Sequence, residues 1–513
     1  MGCAPAGLLG EGRGGKAGRT PARYALGMRT PSRAPRRAWL ALALALVPAA
    51  AAGCGRAPRP NLLLITVDSL RRDHAGPYGW RHPQGGDEPV TPVFDRLARE
   101  GALFEDAVST TSWTLPAHMA LMTGLADELH GVTDNFRRLN PEHRTLAELL
   151  AGHGYATGGF FSGPNLHPAF GFAQGFEVYR NCSGIEAPAD LFESQELGVF
   201  RPVHQASHAT VTSPALLQEA GAWIAEVARG GERPFFAFVH CWDPHYDYRA
   251  PEPYGSLFTR PYAGELTGTH ATDSKRAWGA RDREHLLGLY DGEARWTDEH
   301  LGALLERLEE LGVLDDTLVI LTSDHGEEFY ERGRWGHQRT LYDEVVRIPL
   351  ALRWPGRVPA GLRPRGQARI QDLLPTVAEL FDLPLAGALE GRSLVPLLED
   401  PDHPGYPQPL HLRVPYREIH LSGLRTGAAK VLWDHEQESG WLVDLTSDPL
   451  ELQPRPFDAA ELESSADPAL AAYRASRAAL DELRARLPGA WEGVELPPEL
   501  LDDLRAVGYL GDG

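Results

Sequence analysis

The chain predicts an α/β fold: a doubly wound, mostly parallel sheet followed by a smaller C-terminal α+β subdomain. Three observations carry this. Short continuous apolar runs recur at Leu62–Val67, Thr157–Phe161, Phe235–Val239, Leu318–Leu321 and Pro349–Leu352, as in strands buried on both faces. Helical periodicity separates them, at Pro92–Glu100, Leu146–His153, Pro214–Ala228 and Asp298–Glu310. Two runs lead into acids, Asp68 and Asp324, and so put polar chemistry at strand carboxyl ends, where open α/β sheets bind ligands. A length of 513 residues suits one large domain plus a smaller one.

Before the first strand the chain reads as an export signal. Met1–Gly27 is rich in Gly and Arg; from Met28, MRTPSRAPRRAW is a positively charged start, LALALALVPAAAA an apolar stretch, and AAGC closes it at Cys54. Small residues directly before Cys54 resemble a bacterial lipobox, which implies a lipid-modified cysteine and an exported lipoprotein anchored to a membrane, facing the periplasm or cell exterior. An ordinary cleaved signal and an uncleaved anchor are the alternatives. The domain reading is therefore extension and leader over 1–54, a catalytic domain over 60–400 and a C-terminal subdomain over 409–513.

The chemistry concentrates in three segments. NLLLITVDSL ends its strand in Asp68, TLVILTSDHGEE ends another in Asp324 and His325, and STTSWTLPAHMALMTG opens a helix at Thr114. The Thr114 hydroxyl reads as an N-cap with Pro116 in the first turn, and a helix N-terminus receives a tetrahedral oxyanion such as phosphate or sulfate. Taken singly, each of these is an ordinary cap or turn residue. Together Asp68, Thr114, Asp324 and His325 form an oxygen-rich set for one divalent metal ion: Ca²⁺, Mg²⁺ or Mn²⁺, with Zn²⁺ admitted by the imidazole.

These segments, with TPVFDRLAREG, HGVTDN, HCWDPHYDY, WGHQRTLYDEVVRIPLALRWPG and LVDLTSDPLE in that order, resemble the sulfatase family of the alkaline phosphatase superfamily from about Asn61 onward. The resemblance implies an alkaline-phosphatase-like fold and an ester hydrolase in which Asp68, Thr114, Asp324 and His325 hold the metal. It implies that Asn135 contacts the anion and that His245 protonates the leaving oxygen, and it puts His337 where many sulfatases have a lysine. Two departures matter. Ser69 stands where many members have a second Asp, and the nucleophile position holds Thr114, with His118 in place of an arginine. Threonine cannot be oxidised to the formylglycine of true sulfatases. Relatives with an unmodified threonine generally act on phosphorus, so the expected reaction is hydrolysis of sulfuric or phosphoric esters through a threonyl intermediate.

Alternatives stand beside these readings. Asn135 also fits a left-handed turn position, His240 a packed core residue bonded to backbone, and Asp243 and His245 the flanks of a turn at Pro244. Asp243, His245 and His337 also fit a second metal site, as in di-zinc phosphodiesterases of the superfamily. A phosphodiesterase, a phosphoryl head-group transferase and a non-catalytic binding protein are the competing functions; no apolar segment after Cys54 is long enough for the membrane helices usual in such transferases.

The remaining features bound the partners. A net charge of −20 argues against nucleic acid as a partner, since binding phosphate backbones needs a basic face. The expected partner is a small-molecule, glycan or lipid ester. The stretches 185–212 and 251–281, rich in His, Pro and aromatics, are expected to roof the pocket. Cys182 and Cys241 are read as free thiols. After the proline-rich segment at Pro401–Gln408, residues 411–445 read as antiparallel strands, and Pro468–Leu487 and ELPPELLDDLRAVGYL as helices that dock on the chain's own surface.

Overall fold

Strand β1 (Asn61–Val67) lies at the centre of a seven-stranded sheet, flanked by β5 (Phe235–Cys241) and β6 (Thr317–Thr322), both parallel to it. The structure is a computed structural model that describes residues 59–183, 212–269, 273, 276–506 and 509–510. The leader with Cys54 lies outside the described residues; so does 185–211 of the expected roof. Beyond β5 come β3 (Ala156–Phe161) and β4 (Val178–Asn181), also parallel; beyond β6 come β7 (Leu350–Arg353) and β2 (Ala102–Leu103). β7 runs antiparallel to both of its neighbours, so the sheet is mixed at that edge.

Alternate residues of the central strands face opposite layers, which is why their sequence is continuously apolar. Leu62, Leu64, Phe236, Phe238, Leu318 and Ile320 pack on α2 (Thr114–Thr123) and α3 (Leu146–Ala151). Leu63, Ile65, Ala237, Val239, Val319 and Leu321 pack on α1 (Pro92–Glu100), α4 (Ser213–Gly230) and α5 (Ala280–Glu310).

Helix α5 begins well before the expected Asp298. Its first half buries Gly288, Asp291, Gly292 and Glu293 beside Leu286, Tyr290 and Ala294, so polar and small residues blur its apolar stripe. Asp291 accepts from Trp80 Nε1 at 2.7 Å and pairs with His74 Nδ1 at 2.7 Å, while the Arg249 amide donates to Glu293 at 2.5 Å. A side chain at position 292 would meet the Tyr254 carbonyl oxygen at 2.3 Å, so only glycine lets this helix approach that turn. Part of the expected 251–281 loop is thereby helix.

The C-terminal part is an antiparallel meander of β8 (Gln408–Val414), β9 (Ile419–Arg425), β10 (Ala429–Asp434), β11 (Ser439–Asp444) and β12 (Arg455–Asp458). Helix α6 (Pro468–Arg484) follows, then α7 (Pro498–Ala506). Leu470 and Tyr473 of α6 bury against Leu424, Val431 and Trp433 of the meander. Among the described residues no helix is long and apolar enough to cross a membrane.

Candidate active site

Register builds the site. Thr66 pairs with His240 of β5 on one side and with Thr322 of β6 on the other, so these parallel strands end level with one another. The next residues out, Asp68 after β1 and Asp324 and His325 after β6, converge at the sheet's carboxyl edge. Their ligand atoms lie within 4.8 Å of one another, and all three side chains are fully buried.

Helix α2 delivers Thr114 to this cluster. Trp113 is the N-cap and Thr114 the first helical residue, which corrects the expected N-cap position. The hydroxyl makes no cap hydrogen bond; it donates to Asp68 Oδ2 at 3.3 Å and lies 3.2 Å from His325 Nε2. His325 Nδ1–H donates to the Gly326 carbonyl at 2.8 Å, which leaves the Nε2 lone pair facing Thr114 and the two acids. Ser69, at φ 57°, donates its hydroxyl to Asp68 Oδ1 at 2.7 Å and its amide to Asp324 Oδ1 at 3.2 Å, so it orients both carboxylates.

The residues fit a divalent cation. Asp324 Oδ2 and His240 Nε2 are buried without a hydrogen-bond partner. His325 Nε2 faces Asp324 Oδ2 at 3.4 Å, His240 Nε2 faces Asp68 Oδ2 at 3.5 Å, and His118 Nδ1 faces Asp324 Oδ2 at 3.6 Å. Burial and the adjacent Asp324 carboxylate push Asp68 well above the usual carboxylate range. Burial, reinforced by neighbouring histidines, holds His240 well below its usual range and therefore neutral. Unpaired acceptors converging on one point, with no cationic side chain among them, are what a metal ion resolves.

A hydrogen-bonded row stands behind the cluster. His118 Nδ1–H donates to the Thr114 carbonyl at 2.9 Å, so neutral His118 accepts from Thr66 through Nε2, also at 2.9 Å. Thr66 in turn accepts from His240 Nδ1 at 3.1 Å, and the lone pair of His240 Nε2 is thereby turned toward Asp68. His240 is thus bonded to a side chain, not to backbone as the sequence suggests.

Of the remaining expected residues, His337 and His245 lie beside the cluster, while Asn135 and Asp243 hold backbone. Glu328–Phe329 pairs antiparallel with Trp335–Gly336, and the residues flanking this pair, Glu327 and His337, meet at 3.0 Å between Oε1 and Nδ1. His337 lies 4.4 Å from His325 and 5.1 Å from His245, ring centre to ring centre. His245 stacks on Trp242 at 3.8 Å and donates Nδ1–H to the Tyr246 carbonyl at 2.8 Å. Asn135 donates to the Tyr509 carbonyl at 2.9 Å, and the left-handed position in HGVTDN belongs to Gly131 (φ 74°). Asp243 is spent elsewhere: its carboxylate accepts from the Thr212 and Ser213 amides (2.9 and 2.7 Å) and the Ser213 hydroxyl (2.5 Å) at the start of α4. Among the described residues the one carboxylate–histidine cluster with metal spacing is Asp68, Asp324 and His325; the second-site trio is not among them.

Tyr509 is the residue that sequence reasoning missed. Its hydroxyl donates to His245 Nε2 at 2.8 Å and accepts from His337 Nε2 at 2.9 Å. Nothing in AVGYL marks it, because its partners lie 172 and 264 positions away along the chain. Cys182 and Cys241 are free and buried, as read, and burial pushes the Cys182 thiol up to about 12.

A mixed α/β layer fold in which a buried hydroxyl, acids and histidines meet at the sheet's carboxyl edge suits a hydrolase, and the comparisons name its family. Residues 60–383 match the Sulfatase family model, and residues 331–464 match that for the C-terminal part of N-sulphoglucosamine sulphohydrolase. The chain belongs to the sulfatase family of hydrolases. It is 28% identical to an ulvan-active sulfatase of Formosa agariphila, over 67% of this chain and 66% of that protein. Against arylsulfatase A of Homo sapiens it is 30% identical, over 69% and 70%. In fold it is similar to the phosphonate monoester hydrolase of Agrobacterium radiobacter, with a TM-score of 0.62 and 23% identity over 86% of this chain and all of that one.

Proposed function

We propose that the protein hydrolyses sulfuric or phosphoric esters, with phosphoric esters the better substrates, through a covalent ester of Thr114. The observation that carries this is the Thr114 hydroxyl, turned away from its helix and held between Asp68 Oδ2 and His325 Nε2. Asp68, Asp324 and His325 would hold a divalent cation, with His240 Nε2 beside them. When bound, that ion lowers the pKa of a weak alcohol nucleophile and neutralises charge on the ester oxygens.

The chain's own groups then divide the work. The Thr114 oxygen forms the new bond to phosphorus or sulfur, and its proton passes to Asp68 Oδ2, the acceptor it already faces. The bond to the leaving oxygen breaks as His245, entering this step with a proton on each ring nitrogen, supplies the one on Nε2. His337, held by Glu327, meets charge on the equatorial oxygens. Water, giving a proton back to His245 Nε2, then attacks the phosphorus or sulfur; the bond to the Thr114 oxygen breaks, that oxygen takes back the proton held by Asp68, and phosphate or sulfate departs. Phosphorus is preferred because a threonyl ester has no second hydroxyl through which to expel sulfate by elimination.

Purified, metal-replete protein assayed against 4-nitrophenyl sulfate, 4-nitrophenyl phosphate and bis(4-nitrophenyl) phosphate tests this. Turnover of at least one ester is expected, and Thr114→Ala should abolish it. Activity that survives Thr114→Ala would remove the nucleophile from the scheme. The export reading is also proposed here, from the small residues before Cys54. Cys54→Ala should release the protein from membranes, and retention would count against lipid anchoring.

A further inference from the structure

Tyr509 lies where the proposed chemistry needs an open position. For His245 to protonate a departing alcohol, that oxygen must come within about 3 Å of Nε2. The phenol oxygen is already there, 2.8 Å from His245 Nε2 and 2.9 Å from His337 Nε2. Two oxygens approach no closer than about 2.5–3 Å even when hydrogen-bonded, so a second cannot take the same pair of contacts. We propose that Tyr509 is an internal occupant of the leaving-group subsite, and that an ester reaches Thr114 by displacing it. This rests on the function proposed above.

The side chain is seated, not draped over the surface. Tyr509 is 1% exposed, its amide donates to the Leu504 carbonyl at 2.8 Å, and its carbonyl accepts from Asn135 Nδ2. The Trp113 ring lies 6.4 Å from its own, and Trp113 immediately precedes the nucleophile. Burial pushes the phenol well above its usual range, so it remains a hydroxyl, the same functional group as the alcohol that ester cleavage releases. Its pose shows how a departing alcohol is held, as a hydroxyl donating to His245 Nε2. An occupant of this kind lowers apparent substrate affinity in proportion to the time it is seated, about tenfold if it is seated nine-tenths of the time. Chemistry after displacement is untouched.

The test compares full-length, metal-replete wild type with Tyr509→Ala, Tyr509→Phe and a chain ending at Gly508. KM and kcat are measured with 4-nitrophenyl phosphate and 4-nitrophenyl sulfate, and the Kd of inorganic phosphate by calorimetry. The alanine variant and the shortened chain should show KM and phosphate Kd lower by about threefold to tenfold, with kcat within about twofold of wild type. Tyr509→Phe keeps the ring and loses only the hydroxyl, so its effect should be smaller, and it keeps the test open if the other variants fold poorly. A kcat loss of about tenfold with KM unchanged would overturn the proposal, by making the phenol part of the reaction. Unchanged KM, kcat and phosphate Kd would overturn it too. If neither ester is turned over by any form, the proposed function fails, while the phosphate Kd comparison still decides occupancy of the subsite.

Discussion

At the residue scale the site is a problem of unpaired acceptors. Asp324 Oδ2 and His240 Nε2 are buried without partners, and Asp68 carries the added repulsion of Asp324. The order of motifs made Asp68, Thr114, Asp324 and His325 legible because each sits at the start or end of a regular element, where short-range pattern is informative. His240 was misread because an apolar strand ending in His is the usual sign of a core residue. The roles of Thr114 and His245 separate experimentally. Thr114→Ser keeps a hydroxyl at the same position and should retain turnover that Thr114→Ala loses, which a titration of released nitrophenol would read. His245→Gln should slow esters of poor leaving groups by about 10²–10⁴-fold and spare nitrophenyl esters, which leave without a proton. Equal loss for both ester types would deny His245 the acid role.

At the element scale, three parallel strands ending in register deliver the two acids and His240, and one helix N-terminus delivers the hydroxyl. Continuous apolar runs identified these strands within a residue or two, since burial on both faces leaves no other composition open to them. The first half of helix α5 escaped because it buries glycine and acids among Leu286, Tyr290 and Ala294, which blurs the apolar stripe. Asp243 shows how a candidate ligand is absorbed by architecture: it caps α4 by accepting from two amides and one hydroxyl. Asp243→Ala should therefore destabilise the fold by about 1–3 kcal/mol, seen as a lower thermal midpoint, with metal content unchanged. Loss of bound metal without loss of stability would return Asp243 to a ligand role.

At the scale of the whole molecule, a cation bound only by the folded chain must stabilise it. Calcium or manganese at a hundred times its Kd should add about 2.7 kcal/mol, so chelation should lower the melting temperature of wild type. Asp324→Asn should bind less metal and lose most of that response; an undiminished response would place the ion elsewhere. Burial also predicts that Cys182, its thiol pushed up to about 12, and Cys241 resist alkylation at pH 8 until the chain is unfolded. Rapid labelling of the native protein would contradict that.

By itself the sequence determined the layer architecture, the strand-end acids and the helix that opens at Thr114, because hydrophobic period and local turn chemistry are short-range properties that a linear chain displays. Only the tertiary structure decided which carboxylates share a point, that Asp243 belongs to a helix, that Glu327 holds His337, and that a tyrosine near the chain's end lies between two histidines. Those are contacts across tens to hundreds of residues, set by strand register and by packing of the sheet's two faces. No local pattern encodes such distances.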